Sequence, residues 1–163
     1  MIELQSVGFS FGEEVLLRDF SLQVARAEAV ALLGPSGCGK STLLGLLGLL
    51  DAPSAGEYWF DGQNVAGWSE RRLNTLRRGR IGFVFQSFNL IDELTIEENV
   101  ALGLAYRSDV GDRRGRVAAA MDKVGIAHRA RHFPHQLSGG QRQRAAIARA
   151  IVGDPKLILA DEP

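Results

Sequence analysis

The nonapeptide GPSGCGKST at residues 34–42 constrains this chain more than any other stretch. An apolar run of buried-strand type, residues 30–33, leads into it, and residues 40–50 follow it as a leucine-rich helical pattern. A strand that turns through glycines directly into a helix aims successive backbone N–H groups at one point. The positive end of the helix dipole faces the same point, so the arrangement suits a phosphate. Chance alone yields such a glycine-lysine-serine pattern in about one chain in a hundred of this length. By itself the phrase also fits a plain glycine-rich turn capping a helix, and the remainder of the chain must decide.

Within that loop Lys40 supplies a mobile full charge. Two unit charges about 4 Å apart interact by roughly 4 kcal/mol at an effective dielectric near 20, so Lys40 should outweigh any single N–H. The hydroxyl of Ser41 is a hard oxygen donor suited to Mg²⁺, and Thr42 can reach another phosphate oxygen.

LILADEP at residues 157–163 supplies what the loop lacks. Residues 157–160 are too few for a helix and read as a second buried strand of a parallel sheet, with Asp161 and Glu162 where it ends. Ligands of open α/β sheets gather beyond the carboxyl ends of the strands. Adjacent strand residues point opposite ways, so the two carboxylates divide the work. Asp161 is assigned to Mg²⁺ through water, and Glu162 to orienting or deprotonating the attacking water. Read without the glycine loop, they are merely two solvated acids.

LSGGQ at residues 137–141 is the third phrase. Ser138 and Gln141 have capping-box spacing, an amphipathic stretch occupies residues 141–152, and Gly153, Asp154 and Pro155 stop it. Capping accounts for Ser138 and Gln141. It leaves Gly139 and Gly140 unexplained, because glycine disfavours helices unless something must approach the backbone closely. A helix start with a hydroxyl and two glycines is a second anion-binding surface.

In this order the phrases resemble the nucleotide-binding subunits of ABC transporters, over residues 2–163. Gln86, within IGFVFQSFNL, matches that family's Q-loop, which touches Mg²⁺ or water and leads to the surface facing the membrane subunits. Phe11 matches the aromatic that stacks on adenine, although it would serve equally as a core residue of a strand. The resemblance implies an α/β fold of the P-loop NTPase class. Its core is a largely parallel sheet, with an N-terminal antiparallel β subdomain and an inserted α-helical subdomain. Residues 1–86 and 137–163 would form the core and β subdomain, and residues 87–136 the helical subdomain that docks on a permease.

The same resemblance assigns the sites. Phe11, Gly34, Ser36, Gly37, Cys38, Gly39, Lys40, Ser41 and Thr42 would hold ATP. Ser138, Gly139, Gly140 and Gln141 would close over the ATP of a second copy in a head-to-tail homodimer. Ser41, Gln86 and Asp161 would manage Mg²⁺, while Glu162, Lys40 and Gln86 would carry hydrolysis. FVFQSFNL, LTIEENV and LSGGQRQRAAIARAI are similar to the lipoprotein-releasing and macrolide or peptide exporter ATPases. Two departures stand out. Ala27 occupies a turn position where the family usually has glycine, which costs up to about 1 kcal/mol if φ is positive there. The sequence also stops at Pro163, before the family's D-loop and switch histidine, which implies a truncated domain. Two alternatives stay open: a non-transport ABC ATPase, and nucleotide binding without productive turnover.

Composition fits this reading. A chain of 163 residues, 45% hydrophobic and 23% charged, can bury a core. No apolar run approaches the roughly 20 residues that span a bilayer, and no basic leader precedes Glu3, so membrane association is expected only through permease partners, on the cytoplasmic face. The formal net charge is zero, which gives no footprint for nucleic acid. The arginines at 77–80 and 113–116 read as solvated helix ends rather than RNA contacts. Cys38, the only cysteine, excludes an internal disulfide and suits a reducing compartment; it is either a reactive thiol in the loop or a small residue that fits the turn. His128, His132 and His135 read as ordinary loop residues, not a metal site, because Pro134 interrupts any helical register.

Elsewhere, residues 2–24 read as short strands and Asp61-Gly62 as a hairpin turn after a strand at 57–60. Helices are expected over residues 69–78, 95–106 with a Thr95–Glu98 capping box, and 112–124.

Overall fold

The computed structural model describes every residue except Glu13, Ser36, Tyr106, Ser108, Asp109 and Pro163, together with the side chains of Phe11 and Glu14. The chain forms two compact units, Met1–Thr75 and Leu76–Pro163.

The first unit holds a four-stranded antiparallel sheet in the order β2-β1-β3-β4, from β1 (Ile2–Phe11), β2 (Glu14–Val24), β3 (Ala55–Phe60) and β4 (Gln63–Asn64). The strands β1 and β2 are long, not short as expected. An irregularity between Leu4 and Val7 lets one strand continue where the alternation of apolar residues slips by one. Ser6 turns left-handed there, at φ 48°, and its N–H donates to Ser21 Oγ at 2.9 Å. Ile2, Leu4 and Val7 are all buried as a result. Gly56, at φ 86°, crosses the same spot, where a Cβ would collide with the carbonyl oxygens of Gln5 and Ser6. Opposite β1, Tyr58 pairs with Leu4 and Phe60 with Ile2, so bulky side chains fill both strands of one face. The Tyr58 hydroxyl donates to Leu47 O at 2.7 Å, tying β3 to the end of α1 (Lys40–Leu47), and burial pushes its phenol well above the usual range. The expected hairpin turn follows, with Asp61 and Gly62 both at positive φ, 51° and 82°.

Residues 30–33 are a correction. They enter neither described sheet, and Leu33 is 93% exposed. An apolar run becomes a strand only where a neighbouring ladder takes up its N–H and C=O groups, and no described strand pairs with this one.

Helix α2 (Glu70–Arg77) spans the junction of the units. In the second unit β5 (Ile81–Val84) and β6 (Leu157–Ala160) pair in parallel, Ile81 with Leu157 and Val84 with Ala160. Their helices are α3 (Ile96–Ala101), α4 (Arg113–Lys123) and α5 (Gly139–Ile151). The expected helix over 95–106 ends early, passing into a 3₁₀ turn at Leu102–Leu104. Ile96, Val100, Leu104, Val117, Met121, Ile126, Ala145 and Ala148 form one buried cluster among these helices. Helix α5 lies directly on β5 because Gly82 has no side chain: a Cβ there would strike Ala150 O.

Candidate functional site

The glycine loop of the first unit closes on its own lysine. Gly37 and Gly39 take left-handed conformations, φ 79° and 92°, that a side chain resists, and Gly39 stands as the N-cap of α1. This tight path leaves the carbonyl oxygens of Gly34 and Pro35 facing inward, and Lys40 Nζ donates to both at 2.8 Å. Cys38 folds its sulfur across Gly34, where a Cβ would lie 2.6 Å from Sγ, and that sulfur is 3.9 Å from Lys40 Nζ. Cys38 is exposed. Ser41 and Thr42 lie in the first turn of α1, while Ser36 and the Phe11 side chain fall outside the described residues.

In the second unit the parallel register builds a carboxylate site. Strands paired in parallel end side by side, so residues equally far beyond their last paired residues, Val84 and Ala160, become neighbours. The Asp161 N–H donates to Val84 O at 3.0 Å, which continues the ladder one step past the strands. Gln86 Nε2 then donates to Glu162 Oε2 at 2.5 Å. Glu162 is held at φ 44°, and its side chain is exposed. Asp161, Glu162 and Gln86 thus share the carboxyl edge of β5 and β6.

The third phrase starts α5. Ser138 Oγ accepts from Gln141 N at 3.3 Å, and Gln141 Oε1 accepts from Ser138 N at 3.0 Å, the reciprocal pair that the spacing predicts. Buried Leu137 anchors the turn, leaving Ser138, Gly139 and Gly140 exposed. A Cβ at either glycine would meet nothing within 4 Å. Among the described residues nothing therefore requires glycine at these two positions.

Two residues that the sequence reading passed over hold the segment after Gln86. Phe88 and Asn89 are both left-handed, φ 61° and 46°, and Arg149 of α5 donates to Phe88 O at 2.6 Å and to Asn89 O at 2.5 Å. Burial lowers the Arg149 pKa from its ordinary value, yet two carbonyl acceptors remain bound to it. Asn99 is fully buried, accepting from Ile91 N at 2.7 Å and donating to the carbonyls of Ile91, Leu94 and Thr95. In the sequence they show only as polar side chains at helical spacing from apolar ones, Asn99 from Ile96 and Leu102, and Arg149 from Ala145, Ala146 and Val152.

Among the described residues no group of three His, Cys, Asp or Glu side chains could hold a metal ion together. His132 Nε2 lies 2.9 Å from Arg129 Nη1, and the His135 ring stacks on Phe133. No helix among the described residues is long and apolar enough to cross a membrane.

Comparison with known proteins shows the family. The family model for ABC transporters matches residues 17–163. The chain is 45% identical to an uncharacterized ABC transporter ATP-binding protein, YknY, of Bacillus subtilis, covering all of this chain and 73% of that protein. It is 51% identical to the lipoprotein-releasing system ATP-binding protein LolD of Bordetella pertussis, over 91% of this chain and 64% of that one. A dimeric post-hydrolysis structure of the ATP-binding cassette MJ0796, bound to ADP and Pi, superposes with a TM-score of 0.86 at 42% identity, covering 99% of this chain and 73% of that one. With a family model over residues 17–163 and a relative 45% identical over the whole chain, the chain belongs to the ABC transporter family.

Proposed function

We propose that this chain is the ATP-binding and ATP-hydrolysing motor of an ABC transporter, working with membrane permease subunits at the cytoplasmic face. The observation that carries the proposal is the contact between Gln86 and Glu162 at the carboxyl edge of β5 and β6. A carboxylate at that edge, held by an amide from the neighbouring strand, can accept a proton from water, and its partner amide keeps it aimed. Lys40, seated among the loop carbonyls, would exchange those acceptors for phosphate oxygens. Ser41 of the first unit and Gln86 and Asp161 of the second each carry a hard oxygen donor of the kind Mg²⁺ takes, and the ion would neutralise phosphate charge.

Ser138, Gly139, Gly140 and Gln141 would face the nucleotide of a second copy in a head-to-tail homodimer, which gives the two exposed glycines a reason. Phe11 would stack on adenine, and Gly34, Ser36, Gly37, Cys38, Gly39 and Thr42 would line the phosphates. Residues 87–136 would form the helical subdomain docking on the permease, with residues 1–86 and 137–163 as core and β subdomain. The nearness of LolD, the export ATP-binding/permease protein PvdT of Pseudomonas fluorescens and the macrolide export protein MacB of Bdellovibrio bacteriovorus supports export or extraction as the coupled process.

A second reading follows from the unpaired residues 30–33, which leave the backbone entering the loop without a ladder. The 163-residue chain would then bind nucleotide without productive turnover. Fluorescent-nucleotide binding and phosphate release, measured side by side, separate the readings. Lys40→Ala should weaken binding by on the order of a hundredfold or more, given the Coulomb term at that site; unchanged binding would remove the loop from the phosphate role.

A further inference from the structure

Gln86 is exposed, so its backbone rather than the packing of its side chain has to aim it. On one side the strand ladder fixes that backbone, where Val84 O accepts from Asp161 N at 3.0 Å. On the other a tight turn fixes it, in which Phe88 N donates to Phe85 O at 2.9 Å across Gln86 and Ser87. Phe88 stands at φ 61° and Asn89 at φ 46°, and Ser87 Oγ donates to Asn89 Oδ1 at 2.7 Å. Left-handed backbone at a bulky residue is costly, and such a turn persists where its surroundings hold it. The carbonyls of Phe88 and Asn89 both accept from the Arg149 fork on α5, and Arg142, seven residues earlier on that helix, lies 5.9 Å from the Phe88 ring centroid. Phe88 is thus bound at both ends, by its N–H to the turn that contains Gln86 and by its C=O to α5. Helix α5 is itself set against β5: a Cβ at Gly82, four residues before Gln86, would lie 2.3 Å from the carbonyl oxygen of Ala150, the residue after Arg149.

We propose that Arg149 is a positioning residue for ATP hydrolysis, a role that rests on the hydrolytic reading of Glu162. Through the turn it sets the place of the Gln86 amide, and through that amide the aim of the Glu162 carboxylate. The ladder bond from Asp161 places the two strand ends but leaves the torsions of Phe85 and Gln86 to the turn. A guanidinium suits the task because its planar fork offers donors in fixed geometry, so one side chain fixes two successive carbonyls and the peptide between them. A reacting group misplaced by about 1 Å can slow a reaction by about a hundredfold. Arg149 touches neither nucleotide nor water in this scheme. Its effect falls on turnover, through the angle of Glu162, and not on ATP affinity.

The test uses the whole chain and two readouts: ATP turnover, and the side-chain amide signals of Gln86 in nuclear magnetic resonance spectra, recognised by their loss in Gln86→Ala. Arg149→Met should move those signals to the position they take in Glu162→Ala, where the carboxylate partner is gone. It should lower kcat by about tenfold or more while KM for ATP stays within about twofold. In a Gln86→Ala background the same substitution should cost turnover less than about twofold, because the residue it acts through is already missing. Ile151→Ala removes apolar packing from the same helix, so it should lower thermal stability yet leave the Gln86 signals in place. The proposal is wrong if Arg149→Met leaves the Gln86 signals unmoved, if Ile151→Ala moves them as far, or if the kcat losses of Arg149→Met and Gln86→Ala multiply. If the unaltered chain releases no phosphate, the hydrolytic reading fails instead, and the amide signals alone decide whether Arg149 sets Gln86. If melting shows that Arg149→Met does not fold, Arg149→Gln, which keeps one amide in place of the fork, should displace the same signals, and unmoved signals in it overturn the proposal equally.

Discussion

Gln86 Nε2 donates to Glu162 Oε2 at 2.5 Å, although 76 residues separate the two in sequence. The contact follows from register: Val84 pairs with Ala160, and each partner lies two residues further on. If Glu162 is the base, Glu162→Gln keeps the shape and an amide contact but removes the proton acceptor. Phosphate release should fall by about 10²- to 10⁴-fold, the usual worth of general-base catalysis, with nucleotide affinity nearly unchanged. Retained turnover would take Glu162 out of that role. Gln86→Ala should reduce turnover less, since it frees the carboxylate without deleting it.

Arg149 reaches back from α5 to the carbonyls of Phe88 and Asn89, just beyond Gln86. Phe88 and Asn89 sit in left-handed conformations, a costly one for Phe88, and the guanidinium binds both carbonyls beside the local bonds from Phe88 N to Phe85 O and from Ser87 Oγ to Asn89 Oδ1. Arg149→Met keeps the apolar stem and removes both charged hydrogen bonds. Stability should drop by about 1.5–3 kcal/mol, the range for bonds to charged groups, and amide exchange should speed up at residues 88–91. Equal exchange rates in both proteins would show that the turn is held by other means. Arg149→Lys should not rescue it, because one ammonium cannot present the same fork to two carbonyls.

These features differ in how far the sequence disclosed them. Both capping boxes, at Thr95 with Glu98 and at Ser138 with Gln141, are three-residue relationships and were readable as spacing. The Asp61-Gly62 turn and the strand at residues 157–160 were equally local. Residues 30–33 have the same apolar character as β6 but no ladder, and pairing is a property of distant segments. Asn99 and Arg149 show in the sequence only as polar positions among apolar ones. A polar residue on a helix ordinarily signals a solvated face, and only the packed structure reveals carbonyls waiting for donors.

Gly139 and Gly140 offer a case where stability and activity should move in opposite directions. Each occupies the first turn of α5, and a Cβ there would touch nothing. Gly140→Ala should therefore leave the isolated chain as stable or raise it by up to about 1 kcal/mol, the helix-propensity difference. If a second copy presses its nucleotide against this surface, the same methyl should impair ATP-dependent dimer formation, seen by gel filtration or light scattering. Unimpaired dimers in Gly140→Ala would leave the glycines without a role at an interface.

Ala27 tests the turn that precedes the loop. Its φ is 59°, the conformation for which the family's glycine is suited, while the Glu28 carboxylate accepts from Ala25 N at 2.6 Å and closes the turn around it. Glycine adopts that φ without steric cost but also loosens the unfolded chain, and the first effect is the larger where φ is positive. Ala27→Gly should accordingly raise the stability to urea by up to about 1 kcal/mol, and Ala27→Val should lower it, since a branched side chain resists the left-handed region. The neighbouring ion pair between Arg26 and Asp61, at 3.3 Å with the arginine side chain 82% exposed, sets the scale for comparison. Solvent and salt screen such a pair, so Arg26→Ala should change stability by less than about 1 kcal/mol. If Ala27→Gly proves destabilising, the turn is relaxed in solution into a conformation that alanine accepts, and the departure from the family's glycine carries no cost.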